Sequence, residues 1–307
     1  MKAYIIFRDY KNFPEGMAFL RQAADEIDVR ETEDRPDKEE LKRLVGEYDI
    51  LVIGMKESMD EEVFEHATRL KFLCTSSIGT DHINKKFFES DKIKVINVSH
   101  ANVISVAEFV LAFVMSDIKY FGVGHRSFVA GTDRAGMPSL PREMSSMTIG
   151  VVGAGKIAYK FFELIKPFDP KLLCWTFHPE KHEDLGVDFV SLEQLFQESD
   201  YVVVLVPLSE DTDKLVSAEL LSMAKHDTKL VNVSRMGVVD NEAFRDAVLS
   251  GKFHGSLLDA LNSEIDANIA KAIIPHIKFS PHVAGVSEEA QVRIFTEIME
   301  KLAKAIG

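Results

Sequence analysis

Apolar and polar positions fall into two kinds of block along the chain. Short β-type runs at residues 3–7, 50–54, 72–75 and 95–98 are separated by amphipathic stretches with helical spacing, among them 39–48 and 61–70. A second series begins at Met147, with strand-like runs at 148–152, 171–177, 201–206, 228–233 and 253–258. Several are apolar without alternation, as in Tyr201-Val-Val-Val-Leu-Val206. Such runs suit strands covered on both faces of a parallel sheet. Strands alternating with helices predict parallel βαβ units and an α/β fold.

The break between the two series lies at residues 122–142, rich in Gly, Pro, Ser and charge. Before it, residues 103–120 form a long helical stretch whose apolar side chains cover nearly every face. A helix of that kind is expected to be buried all round, as a core helix, between domains or in a subunit interface. Residues 287–306 are again helical in pattern and are free to return to the first domain.

Within the second series, Val151-Val152-Gly153-Ala154-Gly155-Lys156-Ile157-Ala158 follows a strand and opens a helix. The pattern is G-x-G-x-x-G/A. Gly153 permits the tight turn, Gly155 lets a pyrophosphate approach the backbone, and the small Ala158 allows close helix–strand packing. The pyrophosphate would rest on the N–H groups that open the helix, at Lys156 and Ile157. In NAD enzymes an acid usually ends the second strand and holds the ribose 2′-OH. Here Thr176, Phe177 and His178 stand at that place, with Lys181 and His182 beyond. The missing acid removes repulsion toward a 2′-phosphate, but no Arg is present to clamp one. NAD and NADP both remain open, with a slight lean to NADP. A tight turn without ligand is the alternative for the loop, and a plain surface loop the alternative for His178 and Lys181.

Composition narrows the partners. The 307 residues suggest two domains, at about 100–200 residues each. With 46% hydrophobic and 28% charged residues the chain reads as globular. A net charge of -13 disfavours nucleic acid and anionic membranes, while leaving a small anionic substrate possible. The acidic stretches 34–40 and 60–65 read as solvated helix faces. Cys74 and Cys174, each in an apolar run, suit a reducing compartment and are too few for a cysteine metal site. The first apolar run is too short for a signal segment, and no run approaches a membrane span. A cytoplasmic location is expected.

Three downstream segments carry ionisable groups at strand ends. Arg235 follows the run Leu230-Val-Asn-Val-Ser, where its planar fork can hold a carboxylate. Asp259 and Glu264 lie in Leu257-Leu-Asp259-Ala-Leu-Asn-Ser-Glu264, and His282 in Phe279-Ser-Pro-His282-Val-Ala-Gly285. Taken one at a time, these are ordinary as surface ion pairs or caps. Together they resemble the D-isomer-specific 2-hydroxyacid dehydrogenase family. The likeness also covers Ser77-Ile-Gly-Thr-Asp-His-Ile83, Asn102-Val-Ile-Ser-Val-Ala-Glu108 and the segment from Asn232 to Asp240, and runs from about Ser76 to Gly285.

The resemblance implies two Rossmann-like domains with parallel sheets. A flavodoxin-like substrate-binding domain would take residues 1–100 and 286–307, and an NAD(P)-binding Rossmann domain residues 101–285, with the active site in the cleft. His282 would take the hydroxyl proton as hydride leaves C2 and return it in reduction. Glu264 would orient His282 and keep its pKa high. Arg235 would hold the substrate carboxylate and polarise the carbonyl. Backbone N–H groups near Ile78 and Gly79 would also hold the carboxylate, and Asp259 would contact the nicotinamide carboxamide. Pro207, after the apolar run 201–206, is counted with the cofactor-binding residues.

Two positions depart from the family pattern besides Thr176: Met236 stands where Gly is usual beside the catalytic Arg, and His100 where Gly is often found. The expected protein is a homodimeric dehydrogenase of a small D-2-hydroxy or 2-keto acid. Side chains at 7–13 and 55–59 are placed to shape its pocket. Arg8, Lys11 and Lys56 are candidates for a phosphorylated substrate, with surface solvation as the alternative. A non-catalytic, dinucleotide-sensing protein on the same fold is the rival. An S-adenosylmethionine enzyme leaves the Arg/Glu/His set without a role.

Overall fold

A computed structural model describes residues 1–260 and 262–306; Leu261, the side chain of Asn262 and Gly307 lie outside that description. The chain divides into two compact units, the first Met1–Asn102 with Ser287–Gly307 and the second Val103–Val286.

In unit 1 the strands are β1 (Lys2–Ile5), β2 (Glu26–Val29), β3 (Ile50–Ile53), β4 (Phe72–Thr75) and β5 (Lys94–Asn97). They form one sheet in the order β2-β1-β3-β4-β5, with every pairing parallel. This is the flavodoxin-like order. Side chains alternate across a strand, and here both faces are covered. Ile50 and Val52 join one apolar cluster with helices Pro14–Ala23 and Glu288–Ile306; Leu51 and Ile53 join another with helix Lys38–Glu47. That double burial is why β3 reads as an unbroken apolar run. Helix Glu288–Ile306 buries Ile294, Phe295, Ile298, Met299 and Leu302, a stripe at helical spacing. A Cβ on Gly16 would stand 2.4 Å from Phe295 Cδ1, so only glycine allows the helix Pro14–Ala23 to come this close.

Unit 2 contains β6 (Thr148–Val152), β7 (Lys171–Trp175), β8 (Asp188–Phe189), β9 (Tyr201–Val204), β10 (Lys229–Asn232), β11 (Leu257–Asp259) and β12 (Lys278–Ser280). Among the described residues they form a parallel sheet ordered β12-β11-β10-β9-β6-β7-β8. The order reverses between β6 and β9, and a crevice for a ligand opens at the carboxyl ends of strands at such a switch.

Four details differ from the sequence expectation. The helix expected over 61–70 ends at Glu65. The run 253–258 is strand only from Leu257, because Phe253 takes a left-handed turn at φ 56° that divides it. The break 122–142 contains most of a helix, Phe121–Val129. Helix Val103–Ile118 is buried on one face, through Ala107, Val110, Val114 and Ile118. Its other face leaves Ile104 exposed and Leu111 and Met115 half-buried.

Candidate active site

The glycine turn sits at the end of β6, on the switch-point side. Gly153 has φ 109°, and a Cβ there would lie 2.8 Å from Val206 Cγ1. Both its conformation and its surroundings exclude a side chain. Nothing lies within 4 Å of a Cβ built on Gly155, so the backbone is open to an approaching group. Helix Lys156–Ile165 starts immediately after it, with Ala158 fully buried beneath. An open glycine followed by the first N–H groups of a helix fits a pyrophosphate. Cys174, under the turn, is no nucleophile: burial pushes its thiol up to about 12.

Beyond β7 the chain passes Thr176 and His178 and folds back on the same helix. Tyr159 donates its hydroxyl to Asp184 Oδ1 at 2.8 Å and lies 3.1 Å from His182 Nδ1. A phenol has one proton, so His182 Nδ1–H is the donor in the second contact. The Asp184 bond raises the Tyr159 phenol above its ordinary pKa. Lys166 Nζ secures the far end of the loop through the Leu185 carbonyl, at 2.5 Å. His178 itself is exposed and stands 3.3 Å from Glu180. Pro207 follows β9; its carbonyl accepts from Thr212 Oγ1 at 2.6 Å, which fixes that loop.

The ionisable trio follows three neighbouring strands at the same edge. Arg235 comes after β10, Glu264 after β11 and His282 after β12. The turn carrying Arg235 is organised by Asn232, whose Nδ2 donates to the Arg235 carbonyl at 3.0 Å while Oδ1 accepts from Ser234 N–H at 3.0 Å. Met236, in the place of the usual glycine, is buried in the core beside Val238, so the departure is absorbed by packing.

His282 Nδ1 is 2.9 Å from Glu264 Oε2, and both side chains are mostly buried. An ionised carboxylate only accepts, so Nδ1 carries the proton and Nε2 of the neutral ring is left as the basic atom. His282 has φ 57°, a left-handed backbone that costs a non-glycine residue about 1–2 kcal/mol. Asp259, expected near the carboxamide, places its two oxygens on the N–H groups of Val283 and Ala284, each at 2.9 Å.

In unit 1 the loop after β4 carries Ile78 and Gly79. The Ile78 carbonyl accepts from Asn97 Nδ2 at 2.9 Å and the Gly79 carbonyl from Ser77 Oγ at 2.6 Å. Among the described residues the amides of Ile78 and Gly79 donate to no backbone acceptor, which leaves two donors for an anion. Of the basic groups considered for a phosphate, Arg8 faces Glu33 at 3.7 Å and Lys11 pairs with Glu31 at 3.0 Å. His100 is exposed, its ring against the Ser99 carbonyl. Tyr159 and Asp184 stand in no motif and were not legible in the sequence. Ser105 lies within Asn102-Val-Ile-Ser-Val-Ala-Glu108, and its hydroxyl donates to the Ala284 carbonyl at 2.7 Å.

A dinucleotide turn at the switch point and an acid–base pair at the same sheet edge define a nicotinamide-dependent oxidoreductase. Residues 111–284 match the family described as D-isomer specific 2-hydroxyacid dehydrogenase, NAD binding domain. The chain is 27% identical to hydroxypyruvate reductase of Thermotoga maritima over 306 residues, 98% of this chain and 99% of that one. It is 30% identical to glyoxylate reductase of Korarchaeum cryptofilum over 283 residues, 90% of this chain and 85% of the relative. Among solved structures, NAD-dependent formate dehydrogenase from Staphylococcus aureus in complex with NAD matches with a TM-score of 0.84 at 25% identity, over 99% of this chain and 95% of that one. The chain belongs to the D-isomer-specific 2-hydroxyacid dehydrogenase family. It is an enzyme that moves a hydride between a nicotinamide dinucleotide and C2 of a small 2-hydroxy or 2-keto acid.

Proposed function

We propose that His282, Glu264 and Arg235 are the catalytic set, and that the substrate is a short, unphosphorylated 2-keto acid of the glyoxylate or hydroxypyruvate type. The observation that carries the proposal is the 2.9 Å bond from His282 Nδ1 to Glu264 Oε2. It fixes the tautomer, so that Nε2 accepts the C2 hydroxyl proton in oxidation and returns it in reduction. Glu264 stabilises the imidazolium that exists between the two events. Arg235 holds the carboxylate through two parallel bonds and polarises the carbonyl, with the Ile78 and Gly79 amides as further donors. The dinucleotide is held through Gly153, Gly155, Lys156, Ile157, Thr176, His178 and Pro207. The dinucleotide, when bound, accepts or supplies the hydride.

The two relatives named as reductases of glyoxylate and hydroxypyruvate support the choice of substrate. The acid partners of Arg8 and Lys11 argue against a phosphate. Because no carboxylate ends β7, NADPH is accepted along with NADH and slightly preferred. The buried free thiols of Cys74 and Cys174 support a cytoplasmic location. The apolar outer face of helix Val103–Ile118, with Phe128 75% and Val129 72% exposed nearby, supports a homodimer.

Steady-state oxidation of NADH and NADPH with glyoxylate, hydroxypyruvate and pyruvate tests the reading. His282→Gln should lower kcat by about 10³-fold while dinucleotide binding stays intact. Near-native kcat in that variant would remove the base assignment. Tight dinucleotide binding without turnover on any of the three keto acids would remove the proposed substrate. Phe128→Glu should shift the mass measured by light scattering from dimer to monomer.

A further inference from the structure

The backbone that carries His282 is gripped from two sides. Asp259, the last residue of β11, takes the N–H of Val283 on Oδ1 and the N–H of Ala284 on Oδ2, each at 2.9 Å. Ser105, in the first turn of helix Val103–Ile118, donates its hydroxyl to the carbonyl of the same Ala284 at 2.7 Å. Asp259 is 5% and Ser105 9% exposed, so water does not compete for these bonds. The His282 N–H turns back onto the Ser280 carbonyl at 2.9 Å.

These bonds belong together. Consecutive N–H groups can converge on one anion where the chain makes a tight turn, and His282, at φ 57°, opens this one. A residue with a side chain stays in that region only where its surroundings determine it. The anion that holds the turn here is the chain's own Asp259 carboxylate, and Ser105 secures the opposite side of the second peptide.

We propose that Asp259 and Ser105 are positioning residues for the general base: they hold residues 282–284 in the left-handed turn that brings His282 Nδ1 to Glu264. Asp259 thereby works on the base through the backbone of residues 283 and 284. The inference rests on the reading of His282 as the base. Without either grip the turn relaxes toward ordinary right-handed or extended backbone and carries the imidazole with it. A displacement of about 1 Å at a reacting group costs on the order of 10²-fold in rate.

The test uses Ser105→Ala, Ser105→Thr and Asp259→Asn in the full chain, beside His282→Gln. The readouts are kcat and KM for glyoxylate and hydroxypyruvate, the pH profile of kcat, and NADH and NADPH dissociation constants by fluorescence titration. Ser105→Ala and Asp259→Asn should lower kcat by about 10- to 100-fold and move the limb of the profile that belongs to His282. Dinucleotide dissociation constants should stay within about twofold, and Ser105→Thr, which keeps the hydroxyl, should recover most of kcat.

The proposal is overturned for Asp259 if Asp259→Asn weakens dinucleotide binding about tenfold with an unmoved profile, the signature of a cofactor contact. It is overturned for Ser105 if Ser105→Ala lowers only the melting temperature. Should Asp259→Asn fail to fold, Ser105→Ala, which removes one neutral bond, carries the test. Full turnover in His282→Gln would sink the base assignment itself. A dead His282→Gln with silent Ser105→Ala and Asp259→Asn sinks the grip alone.

Discussion

At the edge of the unit 2 sheet where its strands begin, Asp117 on helix Val103–Ile118 accepts from the Tyr201 hydroxyl at 2.6 Å and from Lys278 Nζ at 2.8 Å, and is also bonded by Lys229. Each donor is the first residue of its strand, on β9, β12 and β10. At the edge where the strands end, His282 and Gly153 stand at positive φ, and Gly155 leaves its backbone open. The first edge is saturated: burial pushes the Asp117 carboxyl up, but Lys229, Lys278 and Tyr201 outweigh it and hold the carboxyl below its ordinary range. Left-handed residues stand at both edges, Phe253 before β11 among them; what the second edge adds is open backbone where a ligand is expected. One edge ties the helix to the strands, and the other is left able to meet something else.

Unit 1 has the same kind of tie at the corresponding edge. Asp49, just before β3, accepts from Lys2 N–H at 2.8 Å and pairs with Arg69 and Lys71, each at 3.1 Å. Burial alone would raise its carboxyl, yet these donors hold it down to about 2.

If the starting edge serves stability alone, Asp117→Ala should cost the largest free energy, about 3 kcal/mol, because the buried Tyr201 hydroxyl and two lysines lose their partner. Chemical denaturation would measure it, and kcat of the folded fraction should not change. A fall in kcat would break the comparison.

Asp49→Asn should cost about 2 kcal/mol at neutral pH. A folded-state pKa below the unfolded value contributes stability that is complete above about pH 4 and is lost as pH falls toward about 2. Wild-type denaturation curves should therefore weaken across that window and the variant's should weaken less. A variant with an identical acid limb would remove Asp49 from the account.

At the ending edge, Tyr159→Phe should cost the least stability of the three, since it removes hydrogen bonds on a half-exposed group. Its sharper effect should be a rise of about two- to fivefold in KM for the dinucleotide with kcat unchanged, because the loop beyond Thr176 and His178 loses its tie to helix Lys156–Ile165. A variant that melts earlier but binds NADPH and NADH as before would place Tyr159 with the purely stabilising residues.

The α/β order was legible wherever burial was two-sided. β3 and β9 are apolar without interruption because helices cover both faces, and both lie inside the runs the sequence marks. β2 was not legible: Glu26-Ile-Asp-Val29 is an edge strand with two acids in four residues. β8, at the other sheet's edge, has only two residues. Edge strands are commonly short and charged, which hides them from a hydrophobic scan.

In the candidate site, the glycine turn was readable because its requirements are local to Gly153 and Gly155. The trio Arg235, Glu264 and His282 was singled out only as a set. The grip of Ser105 and Asp259 on residues 283 and 284 was not readable, since Ser105 meets Ala284 across 179 positions of sequence. Nothing in the local pattern around Ser105 distinguishes its bond from an ordinary helix-start hydroxyl.

The chain leaves unit 1 after Asn102 and comes back to it at Ser287. During synthesis, β1 to β5 therefore emerge long before the helix Glu288–Ile306 that covers Ala3, Ile5 and Val52. Until then that face of the sheet has only the helix Pro14–Ala23 over it, and Gly16 has no Phe295 to receive. Unit 2 is continuous, so a chain that ends at Val286 holds all of its residues. A chain truncated after Val286 should accordingly protect the glycine turn from protease and leave the opening strands open to attack.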